Sequence, residues 1–241
     1  GAMSNVFDEL ARRLRRTDLL LLRAVRRQRS RPAMRAKGQF WGSVITDDEV
    51  DALLRAHGEI DYPAGPDGLE EAVLASAALR DAPGGRFAKF RDAFDLDGDD
   101  ADLVLLALAP EISAGYGKIF AYLNDNLNQA YLTVDMATRV LRAGRRERLA
   151  LQSRLLPGGA LIRNRLLLLN PPDGFETHTS RRLHPTPRLV RWFLEEGELP
   201  ASVGFTPIDT SMEPFIPAPT RKRIEDLGET LRSPVTVAVV G

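Results

Sequence analysis

The period of the hydrophobic pattern changes after about residue 156, and this change restricts the fold more than any other feature. Up to about residue 156, apolar residues recur at helical spacing; in "GYGKIFAYL", for example, Tyr116, Ile119, Phe120 and Leu123 fall on one face. The stretches "ALIRNRLLLLN" and "FETHTSRRLH" instead suit two strands joined by the turn "PPDG". The sequence therefore predicts a mainly α fold that carries one β-hairpin.

A helix-turn-helix pattern precedes this hairpin. The first predicted helix runs over about 114–126, and a turn follows near 128–132. Thr133 is a good N-cap for the second helix, whose inward face holds the apolar residues of "VDMATRVL" and which Gly144 ends. A third helix, "RERLALQSRLL", comes before the strands. Helices in this order, followed by a hairpin wing, predict a winged-helix domain over residues 96–198.

The predicted domain ends on one more helix, "TPRLVRWFLEEG". Thr186 suits its N-cap, Pro187 suits its first position and Gly197 suits its end. Proline at the first helical position loses nothing, because the N–H that it lacks would have no partner inside the helix.

Residues 4–95 predict a helical N-terminal region. The segment 5–29 suits one or two amphipathic helices with arginines between the apolar residues. We expect a core-packing helix with a solvent-facing arginine side; the alternative is a surface for phosphate or for an acidic partner. Thr46 and Glu49 form a capping box for the next helix, and "PDGLEEAVLASAALRD" predicts another. Phe40 and Trp41 are expected to anchor the loop between these helices to the core.

The acidic stretch "DLDGDD" does not match a calcium loop. Counted from Asp95, the position that needs glycine holds Asp100, and the position that needs glutamate holds Leu106. Aspartates are also favoured at helix N-termini, where they accept hydrogen bonds from free N–H groups. The stretch therefore predicts the start of a helix over Asp100–Ala109.

Composition limits the chemistry that the chain can perform. It has no cysteine, 33 basic and 33 acidic residues, and three histidines without zinc-ligand spacing, namely His57, His178 and His184. We expect no metal site, no catalytic residues and no membrane span, because the longest apolar runs are too short. Residues 1–3 resemble the scar of a cleaved expression tag.

The last residues suggest the beginning of another module. Residues 199–232 are rich in proline and predict a linker, whereas "SPVTVAVVG" over 233–241 suits a buried strand followed by glycine. A P-loop begins with such a strand and glycine. Gly241 is therefore a candidate first P-loop glycine of an incomplete nucleotide site.

Several motifs resemble a group of bacterial AAA-type ATPases associated with contractile, phage-tail-like injection systems. The resemblance lies in "FWGSVITDDEVDALL", in "LAPEI", in "YGKIFAYLNDN" and in "TVDMATRVL", and it extends over about residues 38–241. It implies a helical and winged-helix N-terminal region, a linker over 199–232, and the first strand of a truncated AAA module over 233–241. The full-length protein would be a cytoplasmic homo-hexamer that binds ATP and Mg²⁺ and hydrolyses ATP.

Two functions follow as hypotheses. By the resemblance, residues 1–241 are a non-catalytic region that binds no cofactor and recruits a protein, either a contractile-system component or an ATPase substrate. The alternative is a DNA-binding winged-helix regulator. Four arginines on or just after the second helix are the candidate nucleic-acid or partner contacts, namely Arg139, Arg142, Arg145 and Arg146.

Overall fold

The computed structural model describes residues 4–30, 45–57, 63, 65–170 and 176–194. The chain divides into two units, Gly1–Pro207 and Ile208–Gly241, and every described residue belongs to the first. The helices are α1 (Ser4–Arg29), α2 (Asp47–His57), α3 (Gly65–Ala75), α4 (Ala77–Asp81), α5 (Gly85–Ala93), α6 (Gly98–Ile112), α7 (Gly115–Leu123), α8 (Val134–Leu141), α9 (Arg145–Arg154), α10 (Ala160–Arg163) and α11 (Pro187–Leu194). The strands are β1 (Leu167–Leu169) and β2 (Leu183–Pro185), and His178–Ser180 forms one turn of 3-10 helix. Within the described ranges, no helix combines the length and apolar character needed to cross a bilayer.

Helix α1 is the central helix of the unit. The predicted amphipathic segment 5–29 is confirmed as one helix, and it packs against α2–α8 and α11. The expectation of a solvent-facing arginine side is wrong, because Arg13, Arg16 and Arg23 are buried. Helices surround α1, so its polar side also faces protein, and the buried guanidinium groups find carbonyl and carboxylate acceptors there.

The helices that follow agree with their predicted caps but differ in number. Thr46 Oγ1 accepts a hydrogen bond from the N–H of Glu49 (3.2 Å), so the predicted start of α2 is confirmed. The single helix predicted after residue 65 is two helices, α3 and α4, divided at Ser76. Helix α5 was not predicted from the sequence.

Helix α6 forms the middle of the core, and its residues 100–109 are all buried. Its predicted acidic start is confirmed, since Asp97 accepts hydrogen bonds from the N–H groups of Asp99 (2.9 Å) and Asp100 (3.0 Å). The helix continues through Pro110 to Ile112 instead of ending at Ala109. Pro110 has no N–H to donate to the carbonyl of Leu106, so the helix continues past it with one internal hydrogen bond fewer.

A helix-turn-helix is present, and it lies one helix later than the sequence predicts. Residues 124–133 separate α7 from α8, and within them the Asn124 side chain donates to the carbonyls of Gln129 and Tyr131 (2.8 and 3.0 Å). By contrast, only residues 142–144, ending in glycine, join α8 to α9. A turn of three or four residues is the helix-turn-helix spacing, so α8 and α9 form the motif.

The predicted hairpin is present but shorter than expected. β1 and β2 pair antiparallel, with Leu167 opposite Pro185 and Leu169 opposite Leu183. The first four residues of "ALIRNRLLLLN" form α10 instead of strand, and the three residues His178–Ser180 of "FETHTSRRLH" form the 3-10 turn. Thr133 adds an antiparallel bridge to Arg182, which ties the segment before α8 to the hairpin.

Helix α11 begins as predicted, at Pro187, with Thr186 Oγ1 accepting from the N–H of Leu189 (3.3 Å). Several predictions fall outside the described residues. They are the anchors Phe40 and Trp41, the turn at 171–174, Gly197, the linker 199–232, and the strand 233–241 with Gly241.

Candidate interaction surface on the helix-turn-helix

Helix α8 is the buried half of the helix-turn-helix. Thr133 Oγ1 accepts from the N–H of Met136 (3.2 Å), which confirms the predicted cap. The predicted inward residues Val134, Ala137, Val140 and Leu141 are all buried. Because α8 is held by its apolar face, it fixes the place at which the turn and α9 begin.

Helix α9 is the exposed half of the motif. Among its residues only Leu151 is buried, and Leu155 just beyond its end is buried too. This pattern differs from the wide apolar stripe of a core helix, which buries three or four residues in two turns. Most side chains of α9 are therefore available to a binding partner.

Two of the four predicted contact residues form ion pairs within the protein. Arg139 Nε pairs with Asp135 (2.6 Å), and its Nη2 donates to the carbonyl of Leu123 (3.1 Å). Arg142 Nη2 pairs with Asp99 at the start of α6. Both guanidinium groups therefore already donate hydrogen bonds within the protein in the absence of a partner.

The other two, Arg145 and Arg146, are exposed in the first turn of α9. No hydrogen bond or ion pair joins either side chain to another residue in the described ranges. Sequence reasoning missed two exposed leucines of this region, Leu149 on α9 (57% exposed) and Leu156 just after its end (45% exposed). Residues three and four apart are neighbours on a helix, so Arg145, Arg146 and Leu149 form one patch. We call Arg145, Arg146, Leu149 and Leu156 the α9 surface.

An acidic corner at the start of α6 holds the C-terminal end of α9. Arg154 Nη1 contacts Asp97 (2.6 Å) and Asp100 (3.4 Å). Burial alone would raise the pKa of Asp97, but the N–H of Asp100 and the guanidinium of Arg154 lower it overall. Burial and the adjacent charge of Asp97 raise the pKa of Asp100. The helix that carries the α9 surface is therefore held at its C-terminal end by the acidic start of α6.

The hairpin residues next to the motif are also basic. Arg181 Nε donates to the carbonyl of Asn170 (2.7 Å), and the guanidinium of Arg182 lies over the Tyr131 ring, 5.1 Å from its centroid. His178 lies in the 3-10 turn and His184 in β2. Among the residues that the structure describes, no three His, Cys, Asp or Glu side chains are grouped to hold a metal ion.

A helix-turn-helix built from α8 and α9, followed by an antiparallel hairpin, defines a winged-helix protein, as the sequence predicts. Comparison with protein-family models agrees. The chain belongs to the family described as "Winged helix domain, variant", whose model matches residues 8–204. No curated protein and no solved structure matches the chain.

Proposed function

We propose that this winged-helix chain is a non-catalytic module that recruits a protein partner through the α9 surface. The observation that carries the proposal is the pairing of exposed leucines with arginines that have no partner in the described residues. Arginine is enriched at protein interfaces and among the residues that dominate their binding energy, and exposed leucine side chains gain free energy when a partner covers them. Winged helices serve several functions, so the fold alone does not identify the function, and the α9 surface is the basis of the proposal.

The setting that we propose is the N-terminal region of an AAA-type ATPase. The motifs shared with ATPases of contractile injection systems support it, and the winged-helix family agrees with the region that this resemblance implies. In this proposal the chain recruits a contractile-system component or an ATPase substrate in the cytoplasm. A homo-hexamer of the full-length protein would supply the ATP and Mg²⁺ chemistry.

The ATPase setting has its own test. The natural reading frame beyond Gly241 is expected to continue as G-x-G-[KR]-[ST], and purified 1–241 is expected to show no ATP turnover. A different continuation would remove the ATPase setting and leave recruitment by the α9 surface unaffected. Turnover by pure 1–241 would contradict the non-catalytic role.

The recruitment proposal is tested by placing a photoreactive amino acid at position 149. Position 74 is the matched control, because Leu74 is a leucine with 75% exposure on α3. In cells that produce the natural protein, we expect a discrete protein adduct from position 149 and none from position 74. Arg145→Glu combined with Arg146→Glu should abolish that adduct. Equal adducts at both positions, or an adduct to nucleic acid, would contradict the proposal.

DNA binding is the second candidate function, and the local charge favours it. Residues 134–194 contain twelve arginines, namely Arg139, Arg142, Arg145, Arg146, Arg148, Arg154, Arg163, Arg165, Arg181, Arg182, Arg188 and Arg191. The same stretch has four acidic residues, Asp135, Glu147, Asp173 and Glu176. Arginines of this kind can contact phosphate, and the second helix of such a motif can enter a major groove.

Internal pairing weakens this second candidate. Arg139, Arg142 and Arg154 already pair with carboxylates, and the acids Asp97 and Asp99 lie beside the motif. Duplex DNA would bring its own negative charge towards those acids. A protein partner can instead pack leucines against the exposed leucines and pair carboxylates with the arginines. We therefore favour recruitment of a protein over DNA binding.

A further inference from the structure

A cleft of about 230 Å³ lies where five parts of the chain meet. Its walls are the C-terminal end of α1, the last residue of α7, α8, the α8–α9 turn and α9. Every charged residue that lines it is an arginine, and the four are Arg27, Arg139, Arg142 and Arg148. Leucine, methionine, valine and alanine side chains complete the lining, together with Gln28 and Ser30.

Three of the four arginines pair with carboxylates that lie outside the cleft. Arg139 pairs with Asp135 and Arg142 pairs with Asp99. Arg27 Nη2 pairs with Glu70 Oε1 at 2.8 Å. None of these three carboxylates is among the residues that line the cleft. The arginines are therefore held in place while the cleft itself contains no negative group.

Two donors in this group have no acceptor. Arg27 Nη1 is buried and makes no hydrogen bond to any described residue. The side chain of Arg148 is half-buried and likewise has no partner in the described ranges. Buried polar atoms are almost always hydrogen-bonded, and an unpaired one is costly, so an unsatisfied guanidinium nitrogen beside an all-arginine lining indicates a missing acceptor.

We propose that this cleft is a subsite for one carboxylate of an acidic segment in the protein partner. Arginine binds a carboxylate through two parallel N–H donors, and Arg148 has free donors of that kind, while Arg27 Nη1 is the unpaired nitrogen beside it in the lining. The proposal rests on recruitment through the α9 surface. It also defines the chemistry of the partner: apolar side chains contact the leucines of the α9 surface, and an acidic side chain enters the cleft.

Size and charge exclude other ligands. Sites for drug-sized ligands occupy about 300–1,000 Å³, so a nucleotide is too large for this cleft and a single anionic group fits it. Arg139 and Arg142 each have a carboxylate partner and Arg27 shares Glu70 with Arg23, so Arg148 is the one arginine of the lining without a carboxylate partner in the described residues. Binding to a DNA backbone requires many such charges, whereas one is sufficient for a carboxylate.

The test uses the 1–241 chain and a fluorescent, N-acetylated hexaglutamate peptide at constant salt. We expect saturable binding that Arg148→Gln weakens about tenfold, which is the effect of losing one good charge-assisted hydrogen bond. Arg163→Gln is the matched control, because Arg163 is exposed, has no partner among the described residues and does not line the cleft. It should change affinity less than about twofold.

Nuclear magnetic resonance of the arginine Nε–H groups gives a second readout. Hexaglutamate should shift the resonances of Arg27 and Arg148 in the wild-type chain, and not that of Arg163. Equal weakening by Arg148→Gln and Arg163→Gln would overturn the proposal, because it would mean general charge attraction. Binding of inorganic phosphate or duplex DNA in place of the peptide, with dependence on Arg148, would also overturn it.

These results separate the subsite from the α9 surface. If the position-149 adduct forms in cells but hexaglutamate does not bind, recruitment stands and the carboxylate subsite is wrong. If hexaglutamate binds through Arg148 but position 149 gives no protein adduct, the cleft binds carboxylate and the recruitment proposal fails.

Discussion

At the scale of single residues, the central helix α1 places charged groups in the core. Asp18 is 3% exposed, and its Oδ1 accepts a hydrogen bond from the Tyr116 hydroxyl (2.7 Å). Burial raises the pKa of Asp18 to about 6, although the hydrogen bond from Tyr116 partly lowers it. Arg16, two residues earlier, binds Asp102 through two hydrogen bonds of 2.7 and 2.8 Å. We therefore expect removal of the Asp18 charge to stabilise the fold and removal of the Asp102 carboxylate to destabilise it.

Asp18→Asn should stabilise the protein at neutral pH. The folded pKa of Asp18 (about 6) lies above its unfolded value of 3.8, so the folded state binds more protons between these pH values. The free energy of unfolding therefore falls as pH rises through this window, by at most about 3 kcal/mol. Asparagine keeps the acceptor for Tyr116 and removes the charge. Urea unfolding from pH 4 to 7.5 should show a flatter profile for Asp18→Asn, and parallel profiles would contradict the assignment.

Asp102→Ala should destabilise the fold strongly. It leaves the buried Arg16 guanidinium without its carboxylate, and breaking a buried pair in this way costs about 3–5 kcal/mol. Asp81→Ala is the control, because Asp81 also pairs with Arg80 but is exposed, and exposed pairs contribute less than about 1 kcal/mol. Urea unfolding at pH 7 distinguishes the two. Similar losses of unfolding free energy in both variants would show that burial of the Arg16–Asp102 pair does not determine how much its removal destabilises the fold.

At the scale of helices and strands, local signals identified some elements and missed others. The starts of α2, α6, α8 and α11 were predictable because each cap lies within three residues of the N–H groups that it accepts. Helix α5 was missed because its cap is distant in sequence: Glu9 accepts from the N–H groups of Arg86 (2.8 Å) and Phe87 (3.2 Å). Gly85 permits this approach, since it has φ +80° and a Cβ there would lie 2.1 Å from the Glu9 carboxylate.

The helix-turn-helix was predictable in kind but not in position. The asparagine-rich segment after α7 resembles a tight turn in sequence, yet Thr133 within it bridges to Arg182, far along the chain. As a result Arg145 and Arg146 were correctly expected to be near the motif, whereas the exposed Leu149 and the cleft residue Arg148 were missed. Exposure of a leucine depends on what packs beside it, which one sequence does not show.

Glu9→Ala should loosen α5. The change removes a cap for two N–H groups and also the carboxylate that pairs with Arg13 at 2.7 Å. Loss of a cap costs about 1 kcal/mol, and the unpaired buried Arg13 adds to it. Faster hydrogen exchange of the α5 amides is the expected result, with Glu71→Ala, at an exposed position on α3, as the control. Unchanged exchange in α5 would contradict the role of Glu9.

At the scale of the whole molecule, α1 connects the N-terminal helices to the helix-turn-helix. It packs against α3, α4 and α5 and also against α6, α7 and α8. Arg23 Nη2 donates to the carbonyls of Val140 (3.2 Å) and Leu141 (3.0 Å), the last residues of α8. A cation at this end also complements the helix dipole. The predicted division at 95/96 stays a prediction, but the helix that positions α8 lies before it.

This arrangement makes recruitment of a protein, in preference to DNA, the central claim. The chain as a whole has no net charge, and three of the six arginines on α8, the turn and α9 are paired with carboxylates of the protein. Independent DNA-binding domains usually present an uncompensated basic surface. The claim therefore concerns how many positive charges remain free on the α9 surface.

A titration with duplex DNA tests this claim most directly. Affinity for DNA falls steeply with salt when several phosphates are contacted, so the titration is performed at about 50 mM and about 200 mM salt. We expect no saturable binding at micromolar concentrations of the wild-type chain, and no change in the Arg145→Gln, Arg146→Gln double variant. Saturable binding that weakens between the two salt concentrations and disappears in the double variant would contradict it.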